Sequence, residues 1–127
     1  MRKNISSGSP YEDIIGFSRA VKAGQMLAVS GTGPIAPDGS TATPGDAYRQ
    51  AQRCLEIIKK AVEDAGEVLE CIIRTRIYIT CPEIQAEVGK AHAEYFRLIK
   101  PAATMVVVKG LVREDWLVEI EAEGIIS

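Results

Sequence analysis

The chain contains few of the residues that build metal and redox sites. Its 127 residues include one histidine and three cysteines. Cys54, Cys71 and Cys81 show no CxxC spacing, and an odd number of cysteines fits reduced thiols better than a disulfide framework. A lone histidine argues against a histidine-based metal site. We therefore expect no metal, no cofactor and a cytoplasmic location.

Long apolar runs and an excess of positive charge are also lacking. The formal net charge is −2 and the isoelectric point is about 5.5. These values argue against the basic surface of a nucleic-acid-binding protein and against a polybasic membrane signal. The N-terminus has no apolar core typical of a signal peptide, and no run approaches the roughly 20 apolar residues that span a bilayer. We expect neither nucleic acid nor a membrane as a partner.

The rest of the composition is that of an ordinary globular protein. Apolar residues make up 46% and charged residues 25% of the chain. A chain of this length buries roughly two thirds of its unfolded surface, which is enough for a core of its own. We predict a single domain over residues 1–127.

Periodicity predicts two amphipathic helices. Apolar side chains recur every three or four residues from a start at Thr43-Pro44 to an end at Gly66. A second helix is predicted to begin at Pro82 and to stop at Pro101. Five other segments have the composition of strands, namely residues 18–23, 26–30, 68–80, 104–108 and 117–123.

The connections between strands predict their pairing. A tight turn at Gly24-Gln25 joins the first two strands, and a short polar joint suggests that residues 104–108 and 117–123 form a hairpin. We expect residues 1–13 to be loosely held and residues 31–45 to form a loop. Alternation in the long third strand places one set of side chains on a common face, namely Cys71, Ile73, Thr75, Ile77 and Ile79.

The order of elements predicts an α+β domain of two layers, in which both helices cover one face of a single sheet. The opposite face then has no helix over it. An uncovered face with a large apolar area is usually an interface between copies. Its expected apolar residues, on one side of the sheet or the other, are Ile72, Tyr78, Trp116, Val118 and Ile120.

Two carboxylates on the last strand are candidates for acid–base chemistry. Glu119 and Glu121 lie two residues apart and share one strand face. The alternative is that they form cross-strand ion pairs with Arg74 and Arg76. For Glu121 this alternative is the preferred interpretation.

Two further groups have a structural and a functional interpretation. The amides and hydroxyls of residues 30–33, Ser-Gly-Thr-Gly, are suited to holding a carboxylate or oxyanion, or the glycines serve a turn. His92 lies on the apolar stripe of the second helix, where a histidine either packs and hydrogen-bonds or lines a site.

Several segments together resemble the RidA/YjgF family, which is also called the endoribonuclease L-PSP family. They are GFSRAV, MLAVSGTGPIAPDG, IIRTRIYIT, EVGKAHAEYF, PAAT and VEIEAEG. The resemblance implies a chorismate-mutase-like fold with a mixed sheet, a homotrimer and a site at each subunit interface. It also implies hydrolysis of reactive enamines and imines, such as 2-aminoacrylate, to a 2-oxo acid and ammonia.

The same resemblance implies roles for individual residues. Glu119 matches the family's water-positioning carboxylate, and Ala103 stands where the family has a carboxylate-binding arginine. Arg76 is a candidate replacement for that arginine, and Arg19 is a further one. Gly89, His92 and Phe17 stand where the family has an asparagine and two tyrosines. The candidate catalytic residue is thus Glu119, and the candidate substrate-binding residues are Phe17, Ser30, Gly31, Arg76, Gly89, His92, Ala103 and Thr104.

We therefore expect a trimer that takes a small metabolite in clefts between its subunits. One hypothesis is an imine or enamine hydrolase whose substrate differs from 2-aminoacrylate. The alternative is a trimer that binds a small metabolite without turnover. RNA cleavage, suggested by the family's second name, is disfavoured by the acidic charge balance.

Overall fold

A six-stranded sheet organises the protein, and the computed structural model describes residues 1–126. The strands lie side by side in the order β1-β2-β3-β6-β4-β5. Two long helices connect parts of the sheet. The elements are β1 (Arg2–Ile5), β2 (Ala20–Ala23), β3 (Met26–Thr32), α1 (Ala47–Asp64), β4 (Ile72–Ile79), α2 (Gln85–Phe96), β5 (Ala102–Val107) and β6 (Val118–Ile125).

The sheet is mixed, because β4 and β5 run parallel while the other neighbours run antiparallel. The α+β prediction is confirmed, with one sheet and two covering helices. The predicted hairpin of residues 104–108 and 117–123 is wrong, since β5 and β6 lie on opposite sides of β4. A crossover through α2 allows β5 to run parallel to β4. Val118 and Ile120 are fully buried, so β6 takes a central position under α1.

The core lies between the helices and one face of the sheet. Each fully buried leucine or isoleucine stabilises the fold by about 1.5–3 kcal/mol relative to exposure. The largest apolar side chains that are essentially inaccessible come from both layers, and they are Leu27, Leu55, Ile58, Ile72, Ile79, Val62, Val88, Val118 and Ile120. Within residues 1–126, neither helix is both long and apolar enough to cross a membrane.

The first helix begins later than predicted. Its N-cap is Asp46, whose side chain accepts a hydrogen bond from the Arg49 amide at 3.0 Å, and a carboxylate is as good an N-cap as threonine. Thr43 instead adopts a positive φ of 39° in the loop before it. The predicted stop is confirmed, because Gly66 takes φ +84° just after the helix.

The N-terminal segment is more ordered than expected. Residues 2–5 form β1, which pairs antiparallel with β2 at the sheet edge. Ile5 is 5% exposed and joins the core. Burial of this single side chain, together with the strand hydrogen bonds, explains why a polar segment is held in place.

The faces of β4 also differ from the prediction. Ile72 is buried and Ile73 is 53% exposed, the reverse of the predicted alternation at that end. A register shift between Ile72 and Arg74 exchanges the faces there. Beyond the shift, Thr75, Ile77 and Ile79 point to the helices as predicted.

The uncovered face of the sheet is charged at its centre rather than broadly apolar. Val118 and Ile120 belong to the helix side, which corrects the expectation that they contribute to an apolar outer face. The outer face of β4 and β6 instead carries Arg74, Arg76, Tyr78, Glu119, Glu121 and Glu123. Exposed apolar side chains lie toward its edge, as with Val106 on β5.

Candidate functional site

Glu119 lies on β6 in the middle of the uncovered face, next to Gly31 of β3. A register shift in the β3–β6 pairing between Val29 and Thr32 places Gly31 beside the carboxylate. A Cβ atom at Gly31 would overlap Glu119 Oε2, so the glycine makes room for the acid. Burial raises the pKa of Glu119, Arg19 opposes this change, and Glu121 adds to it. A carboxylate whose pKa is raised is a stronger base than an ordinary carboxylate and can return the proton that it takes, as acid–base chemistry requires.

Arg19 holds the irregular part of β3 beside Glu119. Arg19 is 5% exposed, and its Nη1 donates to Gly31 O at 2.7 Å and to Thr32 Oγ1 at 3.0 Å. The Thr32 hydroxyl in turn donates to Ser30 O at 2.8 Å. Burial lowers the pKa of Arg19, while the charges of Glu12 and Glu119 raise it. Arg19 therefore fixes the backbone that sets the position of Glu119.

A cleft of about 350 Å³ opens beside Glu119. Phe17 lines it, and the Arg19 Cζ atom lies 5.3 Å from the centre of the Phe17 ring. Its floor includes Gly33, over which the Trp116 ring lies so closely that a Cβ there would overlap three ring atoms. Other lining side chains are Tyr11, Ile15, Ile35, Val112 and Arg113.

A second, more open groove of about 630 Å³ lies on the other side of Glu119. Tyr78, Leu111 and Glu121 contribute to its walls. Glu119 and Gly31 border both spaces, so a molecule in either one reaches the same carboxylate.

Ser30 is occupied with bonds inside the fold. Its amide donates to Arg19 O at 2.9 Å and its hydroxyl donates to Ser18 O at 2.6 Å. These bonds tie β3 to the chain before β2. The role of residues 30–33 as donors to an anion stays a prediction. The Ser30 amide and hydroxyl both already donate to backbone oxygens in this geometry.

Arg76 and Glu121 form a cross-strand ion pair, which was the preferred interpretation of Glu121 in the sequence. Arg76 Nη1 lies 3.3 Å from Glu121 Oε2 and 3.1 Å from Glu123 Oε1. The Tyr78 hydroxyl also donates to Glu121, and this hydrogen bond raises the pKa of Tyr78. Arg76 is thus engaged on the outer face, a strand away from the cleft that contains Phe17.

His92 lies on the helix side of the sheet, away from Glu119. Its Nε2 is 2.9 Å from Thr75 Oγ1, and its ring centre is 4.7 Å from that of Phe96. Burial lowers the pKa of His92. The neutral ring therefore packs and hydrogen-bonds between α2 and β4.

The remaining candidates lie on α2 and on the edge strand β5. Ala103 is the strand partner of Thr75, and Thr104 is the partner of Arg76 on the outer face. Gly89 lies one turn before His92, with open space where a Cβ would be. Ala103 and Thr104 are exposed on the edge strand.

One copy of the chain therefore divides the candidate residues into two groups. Phe17, Gly31 and Glu119 lie where β3 meets β6, whereas Gly89, His92 and Ala103 lie around the far edge of the sheet. The strand order separates these groups by β4. Glu119 lies on the outer face with Tyr78, whereas His92 and Ala103 lie on the side of Thr75, which faces the helices.

The family model described as Endoribonuclease L-PSP matches residues 9–126. The chain belongs to this family. A curated relative, the RutC family protein PH0854 of Pyrococcus horikoshii, is 35% identical over 122 residues, which cover 96% of each chain. The family predicted from the sequence segments, L-PSP (RidA/YjgF), is therefore confirmed.

Solved structures agree with this L-PSP-family assignment. Rv2704 from Mycobacterium tuberculosis, described as a member of the YjgF/YER057c/UK114 family, is 38% identical with a TM-score of 0.89 and covers 99% of this chain and 100% of its own. TdcF of E. coli, solved with bound serine, is 27% identical with a TM-score of 0.81 over 98% and 94% of the two chains. These likenesses support the chorismate-mutase-like architecture.

Sequence reasoning about this L-PSP-family chain missed two residues that line the cleft, Arg113 and Trp116, and one that holds the chain beside them, Gln50. Arg113 was visible only as part of a polar joint before β6, and Trp116 only as a packing residue. Gln50 lies on α1 with no exposure, where it donates to Asp115 O at 3.0 Å and accepts from the Leu117 amide at 2.8 Å. A glutamine on the apolar stripe of a helix was the available signal, and its effect is to hold the start of β6.

Proposed function

We propose that three copies of the chain assemble and hydrolyse a small imine or enamine in the clefts between them, with Glu119 as the proton-transferring residue. The observation that carries this proposal is the half-buried Glu119 carboxylate, which has a raised pKa and borders two open spaces. Because Ala103 brings no cation, the proposed substrate differs from 2-aminoacrylate.

The division of the candidate residues into two groups supports a site shared between copies. Gly89, His92 and Ala103 cannot approach Glu119 within one chain, because β4 and the sheet itself lie between them. A second copy whose β5 edge meets the outer face of the first would bring both groups to one cleft. Exposed Val106, which pairs with Tyr78 at the β5 edge of the face, supplies apolar area for such a contact.

The relative solved with bound serine favours a ligand of amino-acid size. That binding belongs to TdcF of E. coli. For this chain we infer a ligand of the same scale, because the cleft beside Glu119, about 350 Å³, lies at the lower end of the usual range for small-molecule pockets.

The proposed reaction needs only water and a proton carrier. The water oxygen forms a bond to the imine carbon while Glu119 accepts a proton from that water, and the C=N electron pair moves to nitrogen. Nitrogen takes the proton from Glu119, which gives a carbinolamine. Glu119 then takes the proton of the carbinolamine hydroxyl and passes it to nitrogen. The C–N bond breaks as the C=O bond forms, and ammonia leaves. One imine and one water thus give one carbonyl compound and one ammonia.

The test compares two isosteric variants of the same strand face. Imines are generated in the assay by an amino-acid oxidase acting on a panel of amino acids, and ammonia release is followed in excess of the spontaneous rate. Glu119→Gln is expected to lose at least about a hundredfold in kcat, a typical general acid–base contribution. Glu123→Gln is the control, because Glu123 pairs with Arg74 and Arg76 outside the cleft and should retain activity. Equal turnover by Glu119→Gln and the wild type would refute the mechanism.

Sedimentation of the wild-type protein tests the assembly separately. A species three times the chain mass of 13.7 kDa is expected. A monomer that hydrolyses the imine at full rate would show that the shared cleft is not needed.

A binding function without turnover is the second candidate. It is favoured by Ala103, which leaves the edge of β5 without a cation to hold a carboxylate during reaction. It predicts thermal stabilisation by a 2-oxo acid or an amino acid with no ammonia release from any imine in the panel.

A further inference from the structure

The cleft beside Glu119 contains an arginine that forms no ion pair with the acidic side chains of residues 1–126. Arg113 lies in the segment between β5 and β6 and lines the same cleft as Glu119. None of the ion pairs within residues 1–126 involves Arg113. Its Nη1 donates to Gly39 O at 2.9 Å. A guanidinium has five N–H donors, so most of its capacity to bind an anion is unused.

The other arginines near the outer face are engaged. Arg74 pairs with Glu123 at 3.5 Å, and Arg76 pairs with Glu121 and Glu123. The buried guanidinium of Arg19 donates hydrogen bonds to Gly31 O and to the hydroxyls of Ser7 and Thr32. Of these four cations, Arg113 is the one that combines free donors with a place in the cleft.

Aromatic rings hold Arg113 and form the rest of the cleft. Its Cζ lies 5.5 Å from the centre of the Trp116 ring and 6.0 Å from that of Tyr11. Such stacking restricts the guanidinium while its edge stays available for hydrogen bonds. Phe17 and Ile15 add apolar surface on the open side. The cleft therefore presents a cation, a carboxylate and an apolar wall within one chain.

We propose that Arg113 binds the carboxylate of the substrate, and that the aromatic wall selects a 2-imino or 2-oxo acid with an aromatic or large apolar side chain. A planar guanidinium matches a carboxylate with two parallel hydrogen bonds. The inference rests on the proposed function for the imine group and adds the substrate class. It places the carboxylate anchor on the same chain as Glu119, whereas Ala103 lies at the opposite edge.

Binding measurements test this inference without requiring turnover. Three probes are titrated by calorimetry, namely phenylpyruvate, pyruvate and phenylacetone, which lacks the carboxylate. The wild type is expected to bind phenylpyruvate at least about tenfold more tightly than either of the others. Arg113→Gln should weaken phenylpyruvate binding by about 10- to 100-fold, the value of a charge-assisted contact, and leave phenylacetone binding unchanged.

The control is Arg74→Gln, which removes a cation of the outer face that pairs with Glu123 and does not line the cleft, and which should bind all three probes as the wild type does. Arg113→Lys keeps the charge without the fork and should give an intermediate affinity; it also serves if the glutamine variant folds poorly. Unchanged phenylpyruvate affinity in Arg113→Gln, or equal affinity of the wild type for pyruvate and phenylpyruvate, would overturn the inference.

The outcome is separable from that of the proposed function. Phenylpyruvate binding that depends on Arg113, with no imine hydrolysis, would refute the enzymatic proposal alone. Hydrolysis of small aliphatic imines that is insensitive to Arg113→Gln would refute the substrate class alone.

Discussion

Substitution of Gly33 by alanine tests the construction of the cleft floor. A Cβ at this position would overlap the Trp116 ring, with Cε3 at 2.6 Å and Cη2 and Cζ3 closer still. Real Cβ atoms essentially never approach another heavy atom within 3.0 Å. Trp116 is 6% exposed, so its ring cannot swing freely into water. The overlap must be relieved by moving the ring or the strand.

The expected cost follows from known overpacking. Inserting a methyl group into a well-packed site costs about 1–3 kcal/mol. With an unfolding entropy of about 2.1 cal/mol/K per residue, a chain of this length has about 0.27 kcal/mol/K, and the melting temperature should fall by about 4–11 °C. Calorimetry or circular dichroism of Gly33→Ala measures this directly. A displaced ring would also narrow the cleft, so the affinity for phenylpyruvate should fall in parallel.

Gly31→Ala is the matched control, because both variants make the same change to the unfolded chain. In the background of Trp116→Leu, Gly33→Ala should cost much less, since the ring it meets is gone. A melting temperature of Gly33→Ala equal to that of the wild type would show that Trp116 does not lie on Gly33.

Three further outcomes are expected. Gly31→Ala should lower the melting temperature little, because the atom it meets is the end of the flexible Glu119 side chain, yet it should lower kcat as Glu119→Gln does. Since burial raises the pKa of Glu119 above its ordinary 4.5, the folded state binds this proton more tightly than the unfolded state does. The resulting stability is complete below pH 4.5 and is lost as pH rises through the folded-state pKa. Glu119→Gln should therefore have a higher melting temperature than the wild type at pH 7, and this difference should shrink toward pH 4. A difference in melting temperature that does not change with pH would contradict the claim that burial raises the pKa of Glu119. Gln50→Leu should cost about 1–3 kcal/mol in urea denaturation, because it leaves the Leu117 amide without its acceptor, whereas Gln52→Leu on the same helix should cost less.

Much of the fold was predictable from local pattern. The apolar stripe of α1 and its stop at Gly66 follow from a 3.6-residue period and a residue that tolerates positive φ. The β2–β3 hairpin follows from Gly24, which takes φ +57° in the turn. Such features depend on residues close in sequence, so the sequence alone is sufficient to predict them.

Strand pairing was not predictable in the same way. Residues 104–108 and 117–123 resemble a hairpin locally, yet β4 lies between them in the sheet. Pairing depends on which strand can bury its inner face under α1. β6 takes the central position because Val118 and Ile120 are fully buried there. The register shift at Ile72 also comes from the partner strand and leaves no trace in the alternation of β4 itself.

The candidate site divides along the same line. The sequence and its family resemblance determined Glu119 as the candidate acid and Ala103 as a position without a cation. Only the tertiary structure placed Gly31 against Glu119 and Trp116 over Gly33, and put Arg113 in the same cleft without an ion pair to any of the described residues 1–126. These contacts join segments far apart in the chain, and their geometry is decided by packing between strands and loops, which local periodicity does not encode.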